Sequence, residues 1–218
     1  MSDCVFCDEF HAGPNKNFAS RYPEIRSRIL WADESLFAIP CIGQLEAGHF
    51  LVIPVQHHCT LRDTNSAVGP IGANVAIAIE FACKALGLTN RELLVFEHGA
   101  RDPQDGGCGI YHAHLHVVPV LRTFDLPALF DLQLSHRATT LDGALAKIAP
   151  GSSYALAGIW GEEFRYQPLA TSLPSQFMRR KVANALGKDQ WDWRQSWREP
   201  AMLEATASIM ARRQIHQP

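Results

Sequence analysis

The spacing of apolar and polar positions assigns elements to most of this chain. Residues 28–40, RILWADESLFAIP, read as two short strands separated by a polar Asp33-Glu34-Ser35 turn. HFLVIP at 49–54 is an apolar run closed by Pro54, the pattern of a buried strand. From Ala67 to Leu86 apolar residues return at helical spacing (Val75, Ile79, Ala82, Leu86), and Gly87 is a stop signal, so a helix is predicted over this span. ELLVFEH at 92–98 predicts a further strand, followed by a turn-rich loop from Gly99 to Gly109 containing RDPQDGGCG. YHAHLHVVPV, 111–120, alternates strictly and predicts another strand.

Past Leu121 the composition changes. Leu141 to Ile148 predicts a helical turn, and Tyr154–Trp160 with Glu163–Tyr166 predict a hairpin about Gly161-Glu162. Pro174 to Leu186 predicts a helix closed by Gly187, and a last helix is expected from Pro200 to Arg213. The order of strands and helices makes the fold α+β, an antiparallel sheet with helices packed on it, plus an α/β C-terminal extension. Residues 1–121 are expected to form one domain and 122–218 an extension packed on it.

Composition narrows what such a domain can do. The chain has 218 residues, 47% of them hydrophobic and 19% charged, which excludes a disordered polymer and leaves ample material for a core. No apolar run approaches the roughly 20 residues of a membrane span, and the first residues, MSDCVFCDEF, lack the apolar stretch of a signal peptide. A cytoplasmic protein is therefore expected. Twenty basic residues against 22 acidic ones give a net charge of −2, so neither a nucleic-acid polymer nor a membrane surface is expected as a partner. The six cysteines are then expected as thiols or metal ligands rather than disulfides.

Chemistry concentrates on the histidines. His112, His114 and His116 stand at i, i+2 and i+4, so on a strand they project from one face about 6–7 Å apart, while Ala113, Leu115 and Val117 turn to the core. Three imidazoles in a row can handle phosphate or bind a metal. An ordinary solvated strand face would mix Lys, Thr, Glu and Arg instead.

The run His112-Ala113-His114-Leu115-His116-Val117-Val118 resembles the His-φ-His-φ-His-φ-φ signature of the histidine-triad (HIT) superfamily of nucleotide hydrolases and transferases, and GHFLVIP at 48–54, the helix, the strand ending in FEHG and the glycine-rich loop fall where that family has them. The resemblance covers residues 4 to about 120. It implies that His114 attacks the α-phosphorus of a nucleotide or nucleotide-conjugate substrate, forming a covalent nucleotidyl-imidazole. Its neutral ring suits such an attack. It implies that His116 stabilises charge on the phosphate oxygens or the leaving group. It also implies a homodimer.

Cys4-Val5-Phe6-Cys7 has the C-x2-C spacing of a zinc knuckle, or is two ordinary thiols near a terminus. Two further ligands are required for zinc. The resemblance names His57 and His112, which zinc-bearing members use at matching positions; a closed Cys2His2 set leaves no site for water and makes the zinc structural. His58 is expected to point to the other side of the chain.

Three departures from the family pattern bear on substrate. Where members carry a loop serine or threonine five residues before the central histidine, this chain has Gly109, so the backbone N–H groups of Gly107, Cys108 and Gly109 are left to cradle the phosphate. Where many members place a ribose-binding aspartate, it has Cys41; Glu97 and His98 stand where Asn-Glu or Asn-Asn is common, and His98 is a further candidate substrate contact. Finally, Ser175, Gln176 and Arg179 open the helix predicted from Pro174, and helix N-termini with an arginine fork bind anions; these three are candidate phosphate ligands, against the alternative of a solvated amphipathic helix. Two other readings of the whole remain: a metal-dependent hydrolase using His112, His114 and His116 as ligands, and a nucleotide-binding module without turnover.

Overall fold

A computed structural model of the chain describes residues 4–14, 16–88, 91–101, 109–121, 124–131, 133, 135–195 and 206. Two short helices, α1 (Val5–Ala12) and α2 (Lys16–Arg21), precede strands β1 (Trp31–Ala32), β2 (Leu36–Pro40) and β3 (Phe50–Pro54). Helices α3 (Leu61–Val68) and α4 (Gly72–Leu86) lead to β4 (Glu92–Gly99) and β5 (Leu115–Val120). The second half supplies β6 (His136–Ala138), α5 (Leu141–Lys147), β7 (Tyr154–Ile159), β8 (Phe164–Pro168) and α6 (Phe177–Ala185).

All eight strands lie in one antiparallel sheet in the order β1-β2-β3-β5-β4-β7-β8-β6, so the α+β architecture is realised as a single continuous sheet. The sheet crosses the expected boundary at residue 121. Six register pairs, from Leu94↔Ile159 to Gly99↔Tyr154, join β7 to β4. The ring of Tyr154 lies where a side chain at position 99 would stand, 2.4 Å from an added Cβ, so glycine admits it. A dimer made by pairing β4 edges is closed to this chain, because β7 already occupies that edge.

The two faces of the sheet bury different sets. Val95, Leu115 and Val117 face α4, with Val75, Ile79 and Ala82, and that core continues to Leu141 and Leu145 of α5. Leu94, Phe96, Val118 and Val120 face Met178, Val182 and Ala183 of α6. The face that carries His116 is therefore roofed by the C-terminal half.

Three predicted spans differ. The helix expected from Ala67 begins at Gly72, because Gly69 (φ 89°) and Pro70 break the chain, and Asp142 of α5 accepts from Ile71 N–H (2.9 Å) and Gly72 N–H (3.0 Å) to fix the new start. The preceding turns form α3, capped by Thr60, whose hydroxyl accepts from Asp63 N–H at 3.1 Å; with only Leu61 and Thr64 buried it has too few apolar positions to show a period. The histidine strand enters the ladder at Leu115 rather than Tyr111, since residues 111–114 are drawn to a different set of partners. The helix predicted from Pro174 runs Phe177–Ala185, entered through Gln176 in the left-handed region (φ 60°). The last predicted helix lies outside the described residues except for Thr206, which is buried and accepts from Gln44 Nε2 at 2.9 Å.

Candidate active site and metal cluster

Two histidines of the signature present Nε2 to the same cavity, one as a lone pair and one as an N–H. His114 donates from Nδ1 to the carbonyl of His112 at 2.7 Å, which leaves a lone pair on Nε2. His116 is fixed from the far side. Leu45 N–H donates to His49 Nδ1 (3.1 Å), so neutral His49 carries its proton on Nε2 and donates it to His116 Nδ1 (2.9 Å). Neutral His116 then carries its own proton on Nε2. Burial, with the charges of neighbouring groups including Arg179, holds both His49 and His116 well below the usual imidazole range, which keeps them in these neutral forms. The ring of Phe96 stacks on His116 (centroids 4.4 Å, 6°), and Phe6 of α1 meets His114 edge-on at 5.3 Å, so both rotamers are wedged. His114 and His116 are 5.0 Å apart, centroid to centroid.

His49, whose role sequence reasoning missed, is wholly buried at the head of the apolar run that forms β3. A polar residue inside such a run was the available signal.

The cavity measures about 260 Å³ and takes its walls from both halves of the chain. Phe6 and Glu9 come from α1, Cys41 to Gly43 from the turn after β2, Gly109 and Ile110 from the loop before β5, and Arg179, Trp193 and Arg194 from the extension. Glu9 and Arg28 form a buried ion pair in its wall, Nε to Oε1 at 2.8 Å and Nη2 to Oε2 at 2.6 Å. Cys41, at the position expected for a ribose contact, instead lies 3.6 Å from Arg179 Nη1.

The C-terminal candidates divide. Arg179 is buried, lines the cavity, and donates to Gly43 O (2.6 Å) and Trp191 O (3.0 Å). Gln176 spans the 191–195 segment, donating from Nε2 to Asp192 Oδ1 (2.8 Å) and accepting from Trp193 N–H (3.1 Å), and these bonds hold its left-handed backbone. Ser175 is exposed and does not line the cavity, and His98, half-buried on β4, does not either. Gly107 and Cys108 lie outside the described residues; Gly109 is described and has φ 86°.

A second cluster lies behind the first. Cys4, Cys7, His57 and His112 place one ligand atom each within 4.8 Å of one another. Cys4 Sγ and Cys7 Sγ stand 3.3 and 3.5 Å from His112 Nδ1, and Cys7 Sγ is 3.4 Å from His57 Nδ1. A tetrahedral zinc with ordinary N and S bonds separates its ligands by about 3.3–3.8 Å. His112 donates from Nε2 to Pro54 O at 2.7 Å, which turns the lone pair of Nδ1 toward the two sulfurs. The donor set and its spacing fit a metal. Among the described residues no cluster gathers His112, His114 and His116 around a common point, which removes the structural support for a three-histidine metal site.

No family model matches the chain. An adenylylsulfatase of Arabidopsis thaliana, HINT3, is 31% identical over 120 residues, 55% of this chain and 53% of that protein. Over those residues the chain is similar to that protein, and residues 112–118 carry the histidine-triad signature. The chain spans about half the length of that curated relative. Solved structures similar to the histidine-triad half include a HIT family hydrolase from Clostridium thermocellum (23% identity, TM-score 0.41, 56% of this chain and 95% of that one) and a histidine triad protein from Clostridium difficile (20%, 0.44, 57% and 96%). A HIT family hydrolase from Legionella pneumophila is 26% identical, with a TM-score of 0.38 over 57% of this chain and 98% of that one.

Proposed function

We propose that this chain is a histidine-triad nucleotide hydrolase or nucleotidyl transferase that works through a covalent nucleotidyl-His114 intermediate. The observation that carries the reading is the bond from His114 Nδ1–H to His112 O, which in the neutral ring puts the lone pair on Nε2, beside the proton on His116 Nε2 in a shared cavity. In the first step the Nε2 lone pair of His114 forms a bond to the α-phosphorus, and the bond to the leaving oxygen or nitrogen breaks with its electron pair. His116 Nε2–H donates a hydrogen bond to the phosphoryl oxygens while their charge is redistributed. In the second step water adds to phosphorus, the P–N pair returns to Nε2, and one water proton passes to solvent. Gly109 N–H adds a donor for the phosphate, and Arg179 adds positive charge to the wall. Gln176 holds the 191–195 segment in place.

Cys4, Cys7, His57 and His112 would hold a structural zinc, whose contribution is to tie α1 and the end of β3 to the histidine strand. The relative's description as an adenylylsulfatase makes an adenylyl group joined to sulfate the first substrate to test. A homodimer would join through surfaces other than the β4 edge. Among the described residues no helix is long and apolar enough to cross a membrane.

Acid-quenching the enzyme during turnover of a radiolabelled nucleotide conjugate is expected to leave label on the wild-type protein and none on His114→Ala. Binding without label or released nucleoside monophosphate would establish a non-catalytic binding module instead. With a chiral thiophosphate substrate, two in-line displacements give overall retention; inversion would exclude the covalent route.

A further inference from the structure

Gly109 is hemmed in by the other half of the chain. Its φ of 86° favours glycine, and a Cβ added there would stand 2.5 Å from Nη2 of Arg194. The guanidinium therefore occupies the space over residue 109 that a side chain would otherwise fill. Arg194 lines the same cavity as His114 and His116, at its open end. Its place is set from two directions: its backbone N–H donates to Asp192 Oδ1 (3.0 Å), an atom that also accepts from Gln176 Nε2, and its guanidinium stacks over Trp193 at 5.2 Å. Glu9 is the one carboxylate among the described lining residues, and it is spanned by Arg28. Three guanidiniums therefore line this cavity, Arg28 paired with Glu9 and the other two beside the Asp192 carboxylate, which leaves a positive excess.

A single demand explains this charge. A nucleotide's α-phosphate brings one negative charge, which the histidines and loop amides address. An oxyacid leaving group brings at least one more, and gains another when the P–O bond breaks. We propose that Arg194 binds this departing oxyanion, making the protein selective for nucleotidyl anhydrides whose leaving group is a sulfate or phosphate; the inference rests on the covalent reading above. His114 Nε2 bonds to the α-phosphorus, and the electron pair of the P–O bond leaves on the sulfate or phosphate oxygen. No proton is required, because the oxyacid departs as a stable anion held by the guanidinium. The arrangement agrees with the site's own inventory: the proton on His116 is backed only by the neutral His49 and the Leu45 amide, a relay that donates hydrogen bonds and has no spare proton to give to an amine or alkoxide.

The test compares two substrates with the same adenylyl group. Adenylyl sulfate carries an anionic leaving group, and the 4-nitrophenyl ester of adenosine 5′-phosphate carries an uncharged one that also departs without a proton. Arg194→Ala is expected to lower kcat/KM on adenylyl sulfate on the order of 10²-fold and on the aryl ester less than 10-fold. Arg194→Lys is expected to recover part of the difference, and added guanidinium ion to restore activity of Arg194→Ala on adenylyl sulfate alone. Equal losses on both substrates, or no loss on either, would overturn the inference while leaving the covalent reading intact. Failure of the wild-type enzyme to turn over either substrate or to form the labelled His114 species would overturn both.

Discussion

Glu97 provides a stability measurement that reads the joint between the two halves. Its carboxylate accepts from Leu61 N–H (2.9 Å), at the start of α3, and from the hydroxyl of Tyr154 on β7. Burial pushes its carboxyl up from an ordinary 4.5 to about 7, against the opposing pull of those two hydrogen bonds and of His114. The folded chain therefore holds a proton that the unfolded chain releases between pH 4.5 and 7. Stability from this group falls as pH rises through that window, at about 1.4 kcal/mol per pH unit, or about 3 kcal/mol in all. His49 and His116 act in the opposite sense. Their depressed values mean that the unfolded chain takes up protons first, so their contribution is lost as pH falls below 6.5. Glu97→Gln leaves the histidines unchanged. Its amide oxygen accepts from Leu61 and its NH2 donates to the Tyr154 oxygen, so the difference between variant and wild type isolates the carboxyl. Denaturant unfolding at fixed ionic strength, repeated from pH 4.5 to 8, is expected to show Glu97→Gln gaining on wild type by about 3 kcal/mol and levelling above pH 7. A difference that stays flat across this range would refute the argument, placing the ordinary carboxyl value in the folded state.

Two further outcomes test the metal cluster and the histidine relay. Purified wild-type protein is expected to carry one zinc per chain by elemental analysis. Cys7→Ser is expected to lose it and to unfold with a stability lower by several kcal/mol, so near-zero zinc in wild type prepared without chelators would remove the cluster's role. His49→Phe is expected to lower kcat roughly 10²-fold with little change in KM, because His116 loses the donor that sets its tautomer. Nitrogen-15 spectra should then show the proton of His116 redistributed between its ring nitrogens, and an unchanged spectrum would refute the relay.

What the sequence made legible follows the range of each interaction. Local periodicity located β2, β3, β4 and α4 because each buries one face against neighbours of the same half. The Cys4-Cys7 spacing and the family signature anticipated a cluster whose four atoms the fold brings together across 108 residues of chain. Legibility failed where a distant partner sets the local structure. The start of α4 depends on Asp142, seventy residues on, and the extended stretch 111–114 leaves the ladder because His112 turns to Cys4 and to Pro54 O. Arg194 was missed for the same reason. Its sequence neighbours are tryptophans and polar residues typical of surface packing, and only the register of β7 on β4 and the bonds of Gln176 and Arg179 carry it to Gly109.

The dependence of the site on both halves follows from where charge and chemistry are placed. The histidine strand and its relay lie wholly in the first half, where β3, β4 and β5 fix them to the backbone. Two of the cations that line the cavity, Arg179 and Arg194, come from the second, together with the indole of Trp193. Those groups cannot drift independently. Arg179 is bonded to Gly43 O, Asp142 seals the N-terminus of α4, and Tyr154 shares Glu97 with α3, so three separate contacts lock the extension to the first half beyond the strand pairing itself. Division of this kind lets substitutions in residues 191–195 retune which leaving group is accepted while the nucleophile and its tautomer stay fixed, since no bond of the relay passes through that segment. Glycine at 109 follows from its φ of 86°, which side chains rarely adopt, and the guanidinium from the second half fills the space above it.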